Sequence, residues 1–155
     1  MGGIYNLRSM LSKPFSERWK ICSSIIQDEI DPSLRVEAIW VLGDSFHEIS
    51  DTDKVKIAEL METILKNDNN AIVKHEACFL IGENNLREKI PLLRKMALES
   101  TSELVRHEAI EALGLLQDFE SKATLQKALT DPNTAVKQTA EVVLKQLERA
   151  ENSII

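Results

Sequence analysis

Apolar residues recur along the chain at the spacing of one face of an α-helix. In the segment "DTDKVKIAELMETILK", residues 51–66, the apolar positions are Val55, Ile57, Ala58, Leu60, Met61, Ile64 and Leu65. Intervals of three and four residues are typical of a helix that packs one side against a core. The alternation of apolar and polar residues that marks a half-buried strand is absent from the sequence. The pattern therefore predicts an all-α chain.

Four segments repeat one pattern in the same register. They read "PSLRVEAIWVLGD", "NAIVKHEACFLIGE", "SELVRHEAIEALGL" and "NTAVKQTAEVVLKQ", and each has a basic residue, two variable positions and an alanine. The basic residues are Arg35, Lys74, Arg106 and Lys137. Amphipathic segments lie between the repeated ones, so the chain is predicted to form eight helices in four antiparallel pairs. One pair cannot bury both of its apolar faces, so the pairs stack into a short solenoid.

The repeated pattern resembles that of HEAT repeats, in which the second helix of each pair lines the concave face. We expect one HEAT-like domain of four repeats over residues 15–149. Residues 1–14 are expected to be an N-terminal arm or cap, and residues 150–155 a C-terminal tail. Gly43 and Gly82 lie near the ends of predicted helices, where glycine commonly stops a helix.

Two Asp-Pro pairs give a second boundary signal. Asp31 and Asp131 are each followed by proline, which suits a helix that begins with an N-cap and a proline at its first position. Asp51 and Thr52 are the predicted N-cap residues of the third helix.

The composition excludes several classes of protein. The 155 residues carry a net charge of −6 without a basic patch, so nucleic acid is not an expected partner. No stretch approaches the ~18 apolar residues of a membrane span, and no secretory segment is recognised at the N-terminus. Two cysteines, Cys22 and Cys78, are too few for a disulfide framework and are expected to be buried thiols. A cytoplasmic protein is expected.

Two of the three histidines, His75 and His107, occupy the same register position of neighbouring repeats, and a glutamate follows each. The pairs His75–Glu76 and His107–Glu108 are either surface residues that coincide by chance or parts of a metal site. Neighbouring helix axes lie roughly 8–10 Å apart, so two inward-pointing imidazoles can meet at one ion. Two histidines and a carboxylate with open positions are the ligands of non-haem Fe(II) oxygenases. Iron or manganese fits this set better than a structural zinc, although zinc also binds such ligands.

The segments "IVKHEACFLIGE" and "LVRHEAIEALG" resemble the paired His-Glu motifs of deoxyhypusine hydroxylase, a HEAT-repeat di-iron family. The span from Phe15 to Glu148 resembles one half of that family, in which only the second and third of four repeats carry the motif. The resemblance implies that His75, His107 and Glu108 are metal ligands. It implies that Glu76 belongs to the metal site or faces the substrate, and that Glu76 and Glu108 are the catalytic carboxylates.

The same resemblance suggests a function and a partner. The family carries four His-Glu pairs and this chain carries two, so a homodimer would restore a di-iron site with two irons per dimer. The implied activity is that of a monooxygenase that acts on an amine or on a protein substrate with a cationic, lysine-derived side chain. The alternative is a non-catalytic HEAT scaffold that binds a basic protein partner on its concave face.

Other polar and aromatic residues are expected to be structural. His47 is followed by Glu48 but lies outside the repeat register, so it is predicted to be a surface or helix-end residue. Trp19 and Trp40 fall at apolar positions of the first repeat and are predicted to lie in the core. Glu37 aligns with the glutamates of the two motifs but has no histidine before it, so it is predicted to be polar surface.

Overall fold

The computed structural model describes residues 7–154, and within that range the chain is helical without a strand. The eight α-helices are α1 (Phe15–Asp28), α2 (Pro32–Asp44), α3 (Asp51–Asn67), α4 (Ala71–Glu83), α5 (Ile90–Glu99), α6 (Glu103–Leu115), α7 (Lys122–Ala128) and α8 (Thr134–Asn152). Short 3-10 helices, including Leu7–Ser12 and Phe46–Glu48, lie beside them. The predicted all-α fold is confirmed.

Consecutive helices pair as α1–α2, α3–α4, α5–α6 and α7–α8, and the pairs stack side by side. The second helices form a continuous row, because α2 contacts α4, α4 contacts α6, and α6 contacts α8. One hydrophobic core runs through the stack, and its largest fully buried side chains include Ile39, Leu42, Ile57, Met61, Ile81, Leu93, Ile110, Leu113, Leu125 and Leu147. This is a short α-solenoid, in which each repeat is stabilised by its neighbours.

The start of the described chain packs against the first repeat. In the 3-10 helix Leu7–Ser12, Leu7 is buried in the core and the helix contacts α2. The guanidinium of Arg18 donates to the carbonyl oxygens of Leu11 at 2.9 Å and Lys13 at 2.8 Å. The part of the proposed arm or cap that falls in residues 1–6 lies outside the described residues, as does residue 155 of the proposed tail.

Two arginines of the repeat pattern bind the loop of the following repeat. Arg35 on α2 makes two contacts with the Asp68 carboxylate, Nε to Oδ2 at 2.9 Å and Nη2 to Oδ1 at 3.1 Å. Arg106 on α6 does the same with Asp131, at 2.8 and 3.1 Å. Both pairs are largely buried, and a bidentate guanidinium–carboxylate contact has fixed geometry. These pairs therefore connect the first repeat to the second and the third to the fourth.

The Arg106 pair explains why one predicted helix start is wrong. Asp131 does not cap α8, because its carboxylate accepts from Arg106 and from the backbone N–H of Asn133. Asn133 is the N-cap instead, and its side chain accepts from the N–H of Val136. The helix begins two residues later than the Asp-Pro signal suggested. By contrast, Asp31 caps α2 as predicted and accepts from the N–H of Ser33.

The third helix also begins at a cap other than the predicted one. Ser50 precedes α3, and its hydroxyl accepts from the backbone N–H of Asp53. Asp51 is the first residue of the helix, so its negative charge lies near the positive end of the helix dipole.

The glycines near the helix ends do not stop their helices. Gly43 and Gly82 lie inside α2 and α4, and in residues 7–154 the residues with positive φ are Asn85 and Gln117. A β-carbon placed on Gly82 would lie 3.0 Å from both Cα and Cβ of Ala112 on α6. Gly82 is therefore needed for the close approach of α4 and α6.

We expect the Arg106–Asp131 pair to contribute strongly to stability. Arg106→Met leaves the Asp131 carboxylate, whose side chain is 6% exposed, without its charged partner. The expected loss is about 3 kcal/mol in the free energy of unfolding, measured by urea denaturation. Lys137→Met changes the exposed equivalent position in the last repeat and should shift stability by no more than about 0.5 kcal/mol. Equal effects of the two substitutions would contradict this assignment.

The stability that the Arg106–Asp131 pair contributes depends on pH. Burial alone would raise the pKa of Asp131, but hydrogen bonds from Arg106 and Asn133 and the guanidinium charge outweigh it and lower this pKa. A carboxyl whose pKa is lowered by folding stabilises the protein above its unfolded pKa of about 3.9 and loses that contribution as pH falls further. Arg106→Met should therefore weaken the loss of stability below about pH 4.

Gly82→Ala should lower stability by about 1–3 kcal/mol because the added methyl group pushes α6 away from α4. Gly43→Ala is the matched control, since its β-carbon would meet the Leu80 side chain at an ordinary 3.5 Å. That control should gain up to about 1 kcal/mol from better helix propensity. Thermal denaturation of both variants measures the difference in stability. A stabilised Gly82→Ala variant would show that α4 and α6 can accommodate the added methyl group.

Candidate metal centre

The two His-Glu pairs lie on neighbouring second helices, α4 and α6. Side-chain caps fix where both helices begin: Asn70 accepts from the N–H groups of Ile72 and Val73, and Ser102 accepts from that of Val105. The motif residues therefore lie at the same distance from the start of each helix. The close contact at Gly82 lets side chains of α4 reach side chains of α6.

The structure brings three of the four predicted ligands into contact. The His75 Nε2 atom lies 2.9 Å from Oε2 of Glu108, on the next repeat. Its Nδ1 atom lies 3.4 Å from Oε1 of Glu76, on the same helix. One imidazole thus lies between two carboxylates of adjacent repeats, and all three side chains are mostly buried.

His107 is the fourth predicted ligand, and it lies beside Glu108 on α6 with its side chain partly exposed. Across residues 7–154, no group of three or more His, Cys, Asp and Glu side chains is arranged to hold a metal ion. The nitrogen and oxygen donors that do meet suit iron or manganese by ligand type. In the structure, the imidazole of His75 contacts the carboxylates of Glu76 and Glu108.

The charges around Glu108 favour a cation. Burial is the largest effect that raises the pKa of Glu108, and the nearby negative charges of Glu111 and Glu76 raise it further. His75 and His107 act in the opposite direction without cancelling the rise. A carboxylate that is costly to ionise becomes more stable when a positive ion binds next to it.

Cys78 offers no thiolate to this site. It is fully buried on the core side of α4, and burial together with the charge of Glu108 raises the pKa of its thiol. Cys22 is also buried, and its pKa rises to about 11, mainly through burial and against the charge of Arg18. Both cysteines are free and buried, as predicted.

The prediction that Trp40 lies in the core is wrong. The residue is 41% exposed, and its indole Nε1–H donates to Oε2 of Glu76 at 3.0 Å. The helical spacing contains the missed signal, because Trp40 follows the register position Val36 by four residues and so shares its face. This is the same face of the row of second helices that carries His75 and His107.

The other residues expected to be structural have mixed outcomes. Trp19 is partly buried against the core, and its ring lies 6.4 Å from that of Phe15. His47 is exposed as predicted, and its ring lies near Glu48. Glu37 is partly exposed.

A groove of about 790 Å³ opens beside Glu76, between the first and second repeats. Aromatic and acidic side chains line much of its wall, namely Trp40, Phe46, Phe79, Asp44, Glu48, Glu76 and Glu83, and the basic residues Arg8 and His47 line it as well. Two of these acids already have cationic partners, since Asp44 pairs with Arg8 and Glu48 with Arg18. The combination of aromatic faces and carboxylates suits a cationic group.

Exposed apolar side chains flank the His-Glu positions. Relative to the register position of each repeat, they lie three residues before it, four after it or eight after it, which is one face of a helix. They are Ile72, Leu104, Trp40, Phe79, Val142 and Leu115. An apolar surface around a polar centre is typical of an interaction site.

None of the helices in residues 7–154 is long and apolar enough to cross a membrane.

Comparison with known proteins identifies the repeats and their relatives. A family model of HEAT repeats matches residues 57–145. The chain is 30% identical to deoxyhypusine hydroxylase of Candida glabrata over 142 residues, which is 90% of this chain and 38% of that protein. It is 33% identical to the Aspergillus fumigatus enzyme of the same name over 138 residues, or 86% of this chain and 40% of that protein.

A solved structure gives the same result. Human deoxyhypusine hydroxylase in complex with glycerol matches with a TM-score of 0.66 and 25% identity, over 90% of this chain and 47% of that chain. The chain thus spans less than half the length of each of these relatives. Together with the four stacked helix pairs, these similarities show that the chain belongs to the HEAT-repeat family and is a half-length relative of deoxyhypusine hydroxylase.

Proposed function

We propose that this chain is a metal-dependent monooxygenase of the deoxyhypusine hydroxylase type, in which His75, Glu76, His107 and Glu108 hold iron. The observation that supports this most directly is the 2.9 Å contact between His75 and Glu108, which joins the motifs of two repeats. In a scaffold protein this contact would serve only to join the two repeats, whereas in a metal protein it brings a histidine and a buried carboxylate of adjacent motifs together. Manganese or zinc could occupy the same nitrogen and oxygen donors.

We further propose that two chains form a homodimer whose concave faces oppose each other. One chain contributes two histidines and two glutamates, so a two-fold axis would assemble four His-Glu pairs around two metal ions. The exposed apolar residues beside the motifs, such as Ile72, Leu104 and Phe79, would be buried in this interface. Their burial would stabilise the dimer and exclude water from the metal site.

The side chains of the site have separate tasks in this proposal. Bound iron would supply the activation of O₂. Glu108 would balance the charge of the metal from its buried position, and Glu76, a metal ligand at the edge of the groove, would also supply negative charge that attracts the cationic end of the substrate. The aromatic and acidic wall of the groove supports an amine or a protein substrate with a cationic, lysine-derived side chain.

The charge and the cysteines of the chain bear on its partners and on its cellular compartment. A net charge of −6 opposes binding to nucleic acid, and none is expected as a partner. Two free buried thiols suit a reducing compartment, so we propose that the protein acts in the cytoplasm.

A non-catalytic HEAT scaffold is the second candidate. The exposed apolar side chains on the second helices favour it, because they could bind a protein partner without any metal. In that case the contact between His75 and Glu108 would be a structural ion pair. Metal content separates the two functions.

Metal analysis and mass measurement on native protein test the proposal. We expect a dimer with about one iron per chain, because each chain supplies half of the four His-Glu pairs. His75→Ala and His107→Ala should each abolish metal binding without unfolding the repeats, since both histidines are only partly buried and lie outside the hydrophobic core. His47→Ala is the control, because it removes an exposed histidine that also precedes a glutamate and should leave the metal in place. A monomer without metal would favour the scaffold.

Glu108→Gln should stabilise the metal-free protein while it abolishes metal binding. Burial raises the pKa of Glu108, so at neutral pH ionising this carboxyl costs folding free energy, which a neutral amide avoids. We expect the melting temperature of the metal-free variant to rise by a few degrees. Glu148→Gln, on the exposed surface of α8 and outside the group of charges that act on Glu108, should change it little. A destabilised Glu108→Gln variant would mean that its pairing with His75 outweighs the cost of burial.

A further inference from the structure

The indole of Trp40 connects the first repeat, which has no His-Glu pair, to the pair of the second repeat. We propose that Trp40 is a positioning residue that fixes the Glu76 carboxylate for the metal site. The inference rests on the proposed function for its metal-binding part, and on the 3.0 Å hydrogen bond from Trp40 Nε1 to Glu76 Oε2 for its structural part.

The hydrogen bond leaves Glu76 with one defined orientation. The indole occupies Oε2, and the other oxygen, Oε1, faces Nδ1 of His75 at 3.4 Å. The terminal torsion of a free glutamate is broad, so its carboxylate samples many orientations. A donor on a rigid ring of a neighbouring helix restricts that sampling, which keeps Oε1 directed at the imidazole.

Tryptophan suits this task for a chemical reason. The indole N–H is only a donor, so it cannot compete with Glu76 as a metal ligand. Trp40 also lines the groove between the first two repeats, as do Phe79 and Leu80. The first repeat thereby contributes to the site even though Val36 stands at the register position of the histidines.

Two substitutions separate positioning by the N–H group from packing by the ring. Trp40→Phe keeps an aromatic ring but removes the donor, whereas Trp40→Gln removes the ring but retains an N–H donor. Loss of an outer hydrogen-bond partner of a ligand commonly lowers metal affinity about 10–100-fold. We therefore expect Trp40→Phe to weaken Mn²⁺ binding at least about 10-fold in calorimetric titration, and Trp40→Gln to recover part of the loss.

Trp19→Phe is the matched control, because Trp19 packs against Phe15 on α1 and makes no described contact with the His-Glu residues. It should bind Mn²⁺ as the unmodified protein does. Unchanged affinity of Trp40→Phe would overturn the inference. So would a ranking in which Trp40→Phe binds well and Trp40→Gln binds poorly, because that is the signature of packing by the ring.

A second measurement needs no metal. In ¹⁵N–¹H spectra of the metal-free protein, the indole N–H resonance of Trp40 should move when Glu76→Ala removes its acceptor, and should stay in place in Glu111→Ala. The Trp19 resonance should not move in either variant. If the unmodified protein binds no Mn²⁺ or iron, the proposed function fails, and the spectra alone decide whether Trp40 holds Glu76. If the indole N–H resonance of Trp40 does not move in Glu76→Ala, the inference is overturned.

Discussion

The close packing of α4 against α6 is the constraint on which the site depends. Gly82 has no side chain, and this lets its backbone lie against Ala112. At that separation the His75 ring reaches Glu108 on the next helix. A wider spacing would leave each His-Glu pair isolated on its own repeat, where it could be only a polar surface feature. The packing of small residues and the chemistry of the motif are therefore two parts of one arrangement.

Polar contacts join the repeats at two separate places. Arg35 and Arg106 bind the loops of the next repeats through Asp68 and Asp131, close to the helix starts. On the exposed face of the second helices, Trp40 contacts Glu76 and His75 contacts Glu108, again from one repeat to the next. In the repeated pattern, the position of the arginine immediately precedes the position of the histidine. The first position therefore contributes to stability, and the second contributes to the candidate site. A solenoid makes this possible because each register position meets the same part of its neighbour.

The site carries costs that a purely structural surface would avoid. Glu108 is a carboxylate with an 11% exposed side chain, and its main partner is an imidazole rather than a lysine or arginine. Apolar side chains remain exposed around it. Burial of a charge and exposure of apolar surface both oppose stability, and both are common where a protein binds something. A metal ion and a second copy of the chain would relieve the two costs together.

The repeated pattern alone determined the helical fold, the four pairs and the candidate residues, because helical spacing and repeat register are local properties of the chain. It also singled out His75, Glu76 and Glu108, which meet in the structure because the motif positions of adjacent stacked repeats lie close together. Only the tertiary structure decided what the glycines do, where α3 and α8 begin, and that Trp40 faces the groove. Those outcomes depend on which partner each residue meets. The indole of Trp40 donates to Glu76 on the next repeat, and the carboxylate of Asp131 accepts from Arg106 instead of capping its own helix.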